Sequence, residues 1–147
     1  MMEAIGWIFL GFIATEVFSW WIHKYVMHGV LWKIHKTHHQ HTEGAFELND
    51  VFVLIFGGSA VILILIGVDS FDYRFWIGCG ISLYGTLYFI LHDVLIHKRL
   101  KWFDRPRTKY IKAITRAHRD HHKTREKDDA VSFGLFLIPK QYFNEEK

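Results

Sequence analysis

Ten of the eleven histidines in this 147-residue chain fall into four clusters. His23-Lys-Tyr-Val-Met-His28 is followed by His35-Lys-Thr-His38-His39, and His92-Asp-Val-Leu-Ile-His97 by His118-Arg-Asp-His121-His122. Each half reads H-x4-H and then H-x2-H-H, an internal repeat. His41 stands outside it and reads as an ordinary polar residue. On an α-helix, positions i, i+3 and i+4 lie within about 60° of one another, so each H-x2-H-H presents three imidazoles on one side. The H-x4-H pairs fit an α-helix less well: five residues rotate by about 500°, leaving the two side chains about 140° apart. Either the helix is widened there or the second histidine lies past its end. Ten neutral imidazoles in two equivalent sets can fill the coordination of two first-row transition ions and leave positions for an exogenous ligand. The donor type does not name the metal, since imidazole suits iron, zinc, copper and nickel alike. The single cysteine, Cys79, offers neither an internal disulfide nor a thiolate cluster.

The elements that must position these rings are apolar. Ile5–Ile22, interrupted by Glu16, and the uncharged Val51–Val68 each run for 18 residues, and Phe75–Leu91 for 17. Such lengths cover about 26–27 Å as helix, close to the ~30 Å hydrocarbon core of a bilayer. Buried helices of a soluble protein are a poor alternative, because so short a chain cannot enclose three all-apolar helices. Half of the residues are hydrophobic and 22% are charged, which excludes intrinsic disorder. Seventeen of the 18 Lys and Arg lie between the first two spans or after the third, and Arg74 alone occupies the Asp69–Arg74 turn. By the positive-inside rule that side is cytoplasmic, and all four histidine clusters converge on it. Topology and anionic lipid account for the basic balance, so nucleic acid need not be invoked. Met1–Thr15 lacks a basic leader and a cleavage site, and reads as the start of a retained span. The expected fold is all-α: one domain over residues 1–147, an integral membrane helical bundle of three spans. Cytoplasmic helices around Ile34–Gln40 and Thr108–Lys123 complete a histidine-rich dimetal site, and a fourth embedded piece is allowed near Val131–Ile138.

Other residues have both a functional and an ordinary reading. Glu16 shares a face with His23, about 10.5 Å away in helix rise, and either supports the metal layer or ties α-helices together. Asp93 and Asp120 are candidate acceptors for imidazole N–H groups, and Asp120 equally suits a solvated helix face. Asn49 and Asp50 precede the second span, where helix capping is the favoured reading over a metal role. Gly78, Ser82, Gly85 and Thr86 form a small-residue face suited to close helix contact. Tyr84 and Tyr88 form a stripe leading to His92, which could line a substrate channel or simply pack. Two non-catalytic rivals remain: bis-histidine haem leaves H-x2-H-H unexplained, and a metal transporter would place its ligands near the bilayer midplane.

Four clusters in this order resemble the fatty acid hydroxylase superfamily of membrane di-iron enzymes. Within it, His23-Lys-Tyr-Val-Met-His28-Gly29, His35-Lys-Thr-His38-His39, Phe46-Glu-Leu-Asn-Asp50 and His118-Arg-Asp-His121-His122 are similar to the bacterial β-carotene 3-hydroxylases. The resemblance extends over nearly the whole chain. It implies that the ten clustered histidines bind two non-haem iron ions. The implied reaction hydroxylates a carotenoid β-ring at carbon 3 with O2 and two external electrons, taking β-carotene through β-cryptoxanthin to zeaxanthin. An unactivated ring C–H requires a redox-active metal, which zinc is not. The chain has no G-x-G-x-x-G fingerprint and no iron–sulfur cysteines, so electrons must come from outside. The resemblance suggests a ferredoxin-type donor with its reductase, docked on the basic tail in the bacterial inner membrane. The alternatives are another lipid hydroxylase or desaturase with the same metal site, or a histidine-rich membrane metal-binding or transport protein.

Overall fold

A computed structural model describes residues 1–40, 46–100, 102, 105–106 and 108–144. Among the described residues, three helices are long and apolar enough to cross a membrane. α1 (Met2–Trp21) continues without a break into a widened stretch, Ile22–Val30. α2 (Trp32–His39) follows, then α3 (Asp50–Gly67) and α4 (Tyr73–Tyr88), which in turn widens over Phe89–Ile96. α5 (Lys109–His121) and a short 3-10 turn (Lys140–Phe143) complete the described elements. Large apolar side chains point outward along the long helices, with Phe9, Leu54 and Leu65 each more than 60% exposed. Water would penalise that surface heavily, whereas lipid tails accept it. The protein is a membrane protein.

α4 is the central helix of the three and packs against both α1 and α3. Glycines make this approach possible. A Cβ on Gly11 would fall 2.5 Å from the Ile77 carbonyl oxygen, and one on Gly80 would collide with the Ile8 backbone, so α1 and α4 meet main chain to main chain. Gly78 lies equally close to Ala60 and Ile64 of α3. The expected small-residue face is therefore only half a packing face. Gly78 fulfils it, but Gly85 has open space where a side chain would be. Asp72 caps α4 by accepting the Arg74 N–H at 2.9 Å, and Thr108 caps α5 by accepting that of Ile111 at 3.2 Å.

α1 and α4 end, and α3 begins, at the same face of the bundle, where the histidines of α2 and α5 meet those of the two widened stretches. α5 is strongly amphipathic, burying Ala113, Ile114 and Ala117 beside His118 and His121. The 131–138 segment differs from a fourth membrane helix: it is a non-helical strap. Phe136 of the strap packs on Phe12 (5.4 Å between ring centroids) and Tyr84 (5.7 Å). Phe12 is 11 residues before His23, so the strap descends about 16 Å along α1. Glu16 makes this descent possible, because its carboxylate accepts the main-chain N–H groups of Phe136 (2.9 Å) and Leu137 (2.7 Å), donors that apolar surroundings would otherwise leave unpaired.

Candidate metal centre

The H-x4-H spacing works because both helices widen where it occurs. The His97 N–H bonds to the His92 carbonyl at 2.9 Å, and that of Leu31 to Val26. These five-residue closures bring i and i+5 onto one face. The rings of His23 and His28 are 5.2 Å apart and those of His92 and His97 are 4.5 Å apart. His28 lies inside the widened stretch, just before a break at Gly29, whereas His97 lies at the end of its own. Widening thus serves both halves, and in the second the widened stretch also ends just before the second histidine.

All ten clustered histidines gather in one layer, and His41 lies outside the described residues. Nine of them form two groups that could each hold a metal ion: His23, His28, His35, His39 and His121, and His38, His92, His97 and His118. Within each group the ligand nitrogens lie within 4.8 Å of one another. The groups do not follow the two halves of the sequence. Each takes an H-x4-H pair and the first histidine of the next H-x2-H-H, but receives the middle histidine, His121 or His38, from the other half. Pairwise ring distances repeat closely under this exchange. His23–His35 is 4.7 Å and His92–His118 is 4.6 Å, while His28–His35 is 4.9 Å and His97–His118 is 5.0 Å. The same pseudo-two-fold pairs His39 with His122, whose rings stack on each other at 4.4 Å. His122 stands beside the second group, its ring 4.7 Å from His38, 4.8 Å from His97 and 4.4 Å from His118. Its Nε2 is buried and has no hydrogen-bond partner among the described residues.

Ring orientation is set from outside. The Nδ1–H of His23 donates to the Phe133 carbonyl (2.7 Å), His28 to Lys127 (3.0 Å), His39 to Thr124 (2.9 Å) and His121 to Val131 (2.8 Å). His35 donates to Asn49 Oδ1 (2.8 Å), His38 to Glu47 (3.0 Å) and His92 to Asp93 (2.6 Å). These oxygens can only accept, so the proton of each ring is on Nδ1 and the Nε2 lone pair faces inward. Yet Nε2 meets Nε2 at 2.9 Å between His23 and His35, 3.0 Å between His38 and His92, and 3.2 Å between His28 and His121. Lone pair against lone pair is repulsive in a neutral set, and a shared cation removes the repulsion. The donor chemistry fits a metal pocket.

Burial keeps the rings neutral. Desolvation, reinforced by neighbouring imidazoles, pushes His35 down to about 3, and desolvation pushes His39 to about 4 despite the Thr124 carbonyl. Desolvation and the Arg99 charge take His97 to about 4, and burial holds His38 and His118 well below the usual histidine value.

Of the supporting residues, Asp93 meets a ring directly. Glu16 does not: its second oxygen accepts the Tyr84 hydroxyl at 2.8 Å, making it a tie between α1, α4 and the strap. Asp120 pairs with exposed Lys123 at 2.6 Å, the solvated-face reading. Asn49 occupies the cap position of α3 but does not cap it, and the favoured capping reading gives way to its bond with His35. A ring only 1% exposed requires an acceptor for its N–H. Sequence reasoning missed Glu47 and Arg99. Arg99 bonds Glu47 (3.2 Å) and Asp50 (3.0 Å) and lies 4.0 Å from Asp93. The Phe46–Asp50 word held the available signal for Glu47. The carbonyls of 124, 127, 131 and 133 carried none, since any residue has one.

Between α1 and α3, over α4, a cavity of about 570 Å³ runs up to the rings. Phe52, Phe56, Ala60 and Ile81 make its walls apolar, and His23, His35, His38, His92 and His118 face it at one end. Both Tyr84 and Tyr88 line it, with the Tyr88 hydroxyl 3.1 Å from His92 Nε2. Gly57 and Gly85 line it too, each with open space at the Cβ position.

The chain is 42% identical to a β-carotene hydroxylase of Pseudescherichia vulneris over 133 residues, 90% of this chain and 76% of that one. It is 38% identical to one from Paracoccus sp. (strain PC1), over 86% of this chain and 79% of the relative. It is also 34% identical to the chloroplastic β-carotene 3-hydroxylase 1 of Arabidopsis thaliana, covering 96% of this chain and 47% of the longer relative. No solved structure matches the chain. The fatty acid hydroxylase profile matches residues 8–141, so that the paired histidine groups and almost everything that positions them fall within it, and the chain belongs to the fatty acid hydroxylase family.

Proposed function

We propose that this protein is a carotenoid β-ring 3-hydroxylase, converting β-carotene through β-cryptoxanthin to zeaxanthin at a histidine-ligated di-iron centre. The observation that carries the reading is the apolar cavity ending on two inward-facing imidazole groups. The names of the relatives supply the substrate class. Each ring hydroxylation consumes O2, two electrons and two protons, replaces a C–H by C–OH and releases water. The irons, held by His23, His28, His35, His39 and His121 and by His38, His92, His97, His118 and His122, supply the redox chemistry that an unactivated C–H demands.

The protein's own residues position and shield. Outward-donating Nδ1–H groups hold the rings in the tautomer that binds metal. The cavity walls exclude water and hold a β-ring against the histidine layer, while the ~30 Å substrate extends between α1 and α3 into lipid. Gly57 and Gly85 leave room for the ring, and the Tyr88 hydroxyl stands beside the reacting end. Electrons come from a ferredoxin-type donor and its reductase, attracted by the basic segments. The charge distribution favours the bacterial inner membrane with the histidine layer on the cytoplasmic face.

Expression in a host accumulating β-carotene, with an active ferredoxin system, tests the reading. Appearance of β-cryptoxanthin and zeaxanthin is expected, and unchanged β-carotene would overturn it.

A further inference from the structure

The two histidine groups are near copies in their rings but not in what stands behind them. In the first, four rings donate to main-chain carbonyls of the 124–133 segment, and His35 donates to the neutral amide of Asn49. Asp128 acts on His28 through space, but from an exposed position. In the second group, His38 and His92 donate to the carboxylates of Glu47 and Asp93, whose side chains are 17% and 10% exposed. Arg99 draws Glu47, Asp50 and Asp93 together, and its one positive charge leaves a surplus of two negative charges on this side.

A carboxylate that accepts the Nδ1–H shifts electron density onto the ring and makes its Nε2 a stronger donor to a cation, an effect of about 10- to 100-fold in metal affinity. A carbonyl does the same more weakly, having no full charge. Anions held in poorly solvated surroundings add direct attraction for a divalent ion. We infer that the two groups are unequal cation sites: the group backed by Glu47 and Asp93 fills first and releases its ion last. Glu47, Asp93 and Arg99 are positioning residues that act through His38 and His92. The inference rests on the reading that each group holds one ion.

The test uses the full-length protein, purified and stripped of metal, then titrated with cobalt(II) while visible absorption and bound metal are measured. Two binding steps are expected, separated by about 10- to 100-fold in affinity. Glu47→Gln together with Asp93→Asn should weaken the tighter step until the two merge. Asn49→Asp, which puts a carboxylate behind His35, should tighten the weaker step and leave the other in place, a gain that misfolding cannot mimic. Two ions bound in a single step that no variant moves would overturn the inequality while leaving the two-ion reading intact. Fewer than two ions would overturn both.

Discussion

In the histidine layer, hydrogen bonds that fix the rings reach across the chain, joining His39 to Thr124, His28 to Lys127 and His23 to Phe133 over sequence separations of 85, 99 and 110 residues. In the helical wedge beneath, α4 meets its neighbours through bare backbone at Gly11, Gly78 and Gly80, then parts from them around Gly57 and Gly85. The layer is over-determined and polar, so that losing one ring disturbs several partners. The wedge is tight on one stretch and open on another, and glycine serves both purposes. The same residue type closes a helix contact at Gly80 and leaves the cavity open at Gly85.

The largest effect should come from the two rings that cross between halves. His38→Ala or His121→Ala should each reduce zeaxanthin formation to background, whereas His41→Ala should leave it intact. Equal, mild effects of all three would break the distinction between the layer and its surroundings. Next, the two kinds of glycine should separate. Gly85→Leu should leave metal content and melting unchanged while cutting conversion by about 10- to 100-fold, since a misplacement of about 1 Å suffices for that. Gly80→Ala should instead lower stability by about 1–3 kcal/mol through overpacking, read as a lower thermal midpoint in detergent. If both only destabilised, the open stretch would be a packing defect.

Glu16→Ala joins the two regions. It leaves the N–H groups of Phe136 and Leu137 without their acceptor, at a cost of about 1–3 kcal/mol for each buried group so orphaned, while the Tyr84 hydroxyl keeps Ser19 as a partner at 2.9 Å. Proteolysis within 131–138 should rise, and Glu16→Gln should restore part of the protection. The most gradual effect is that of acid on the metal-free protein. His35, His39 and His97 titrate lower when folded than the ordinary value of about 6.5, so the unfolded chain binds more protons in between. Stability is full above that value and should fall from about pH 6.5 toward pH 4, measured as the midpoint of thermal unfolding.

The sequence made the three spans, the histidine layer and the place of α5 legible, because apolar runs and imidazoles announce themselves by residue type. The exchange of His38 and His121 between halves was not legible, since spacing reports local geometry and their partners lie in other segments. Asp93 could be read because it adjoins His92. Arg99 could not, and Glu47 only through the Phe46–Asp50 word, as their roles exist only once the start of α3 and the end of α4 are side by side. The strap's carbonyls are invisible to any reading of side chains, and its descent to Glu16 follows from a buried carboxylate whose partners are main-chain N–H groups.

In the proposed enzyme, two imidazole groups hold a pair of irons within one layer. Mössbauer spectroscopy of the purified, iron-57-loaded protein tests this arrangement most directly. Two irons per chain, both non-haem and in nitrogen-rich surroundings, are expected; a single iron or a haem absorption band would contradict it.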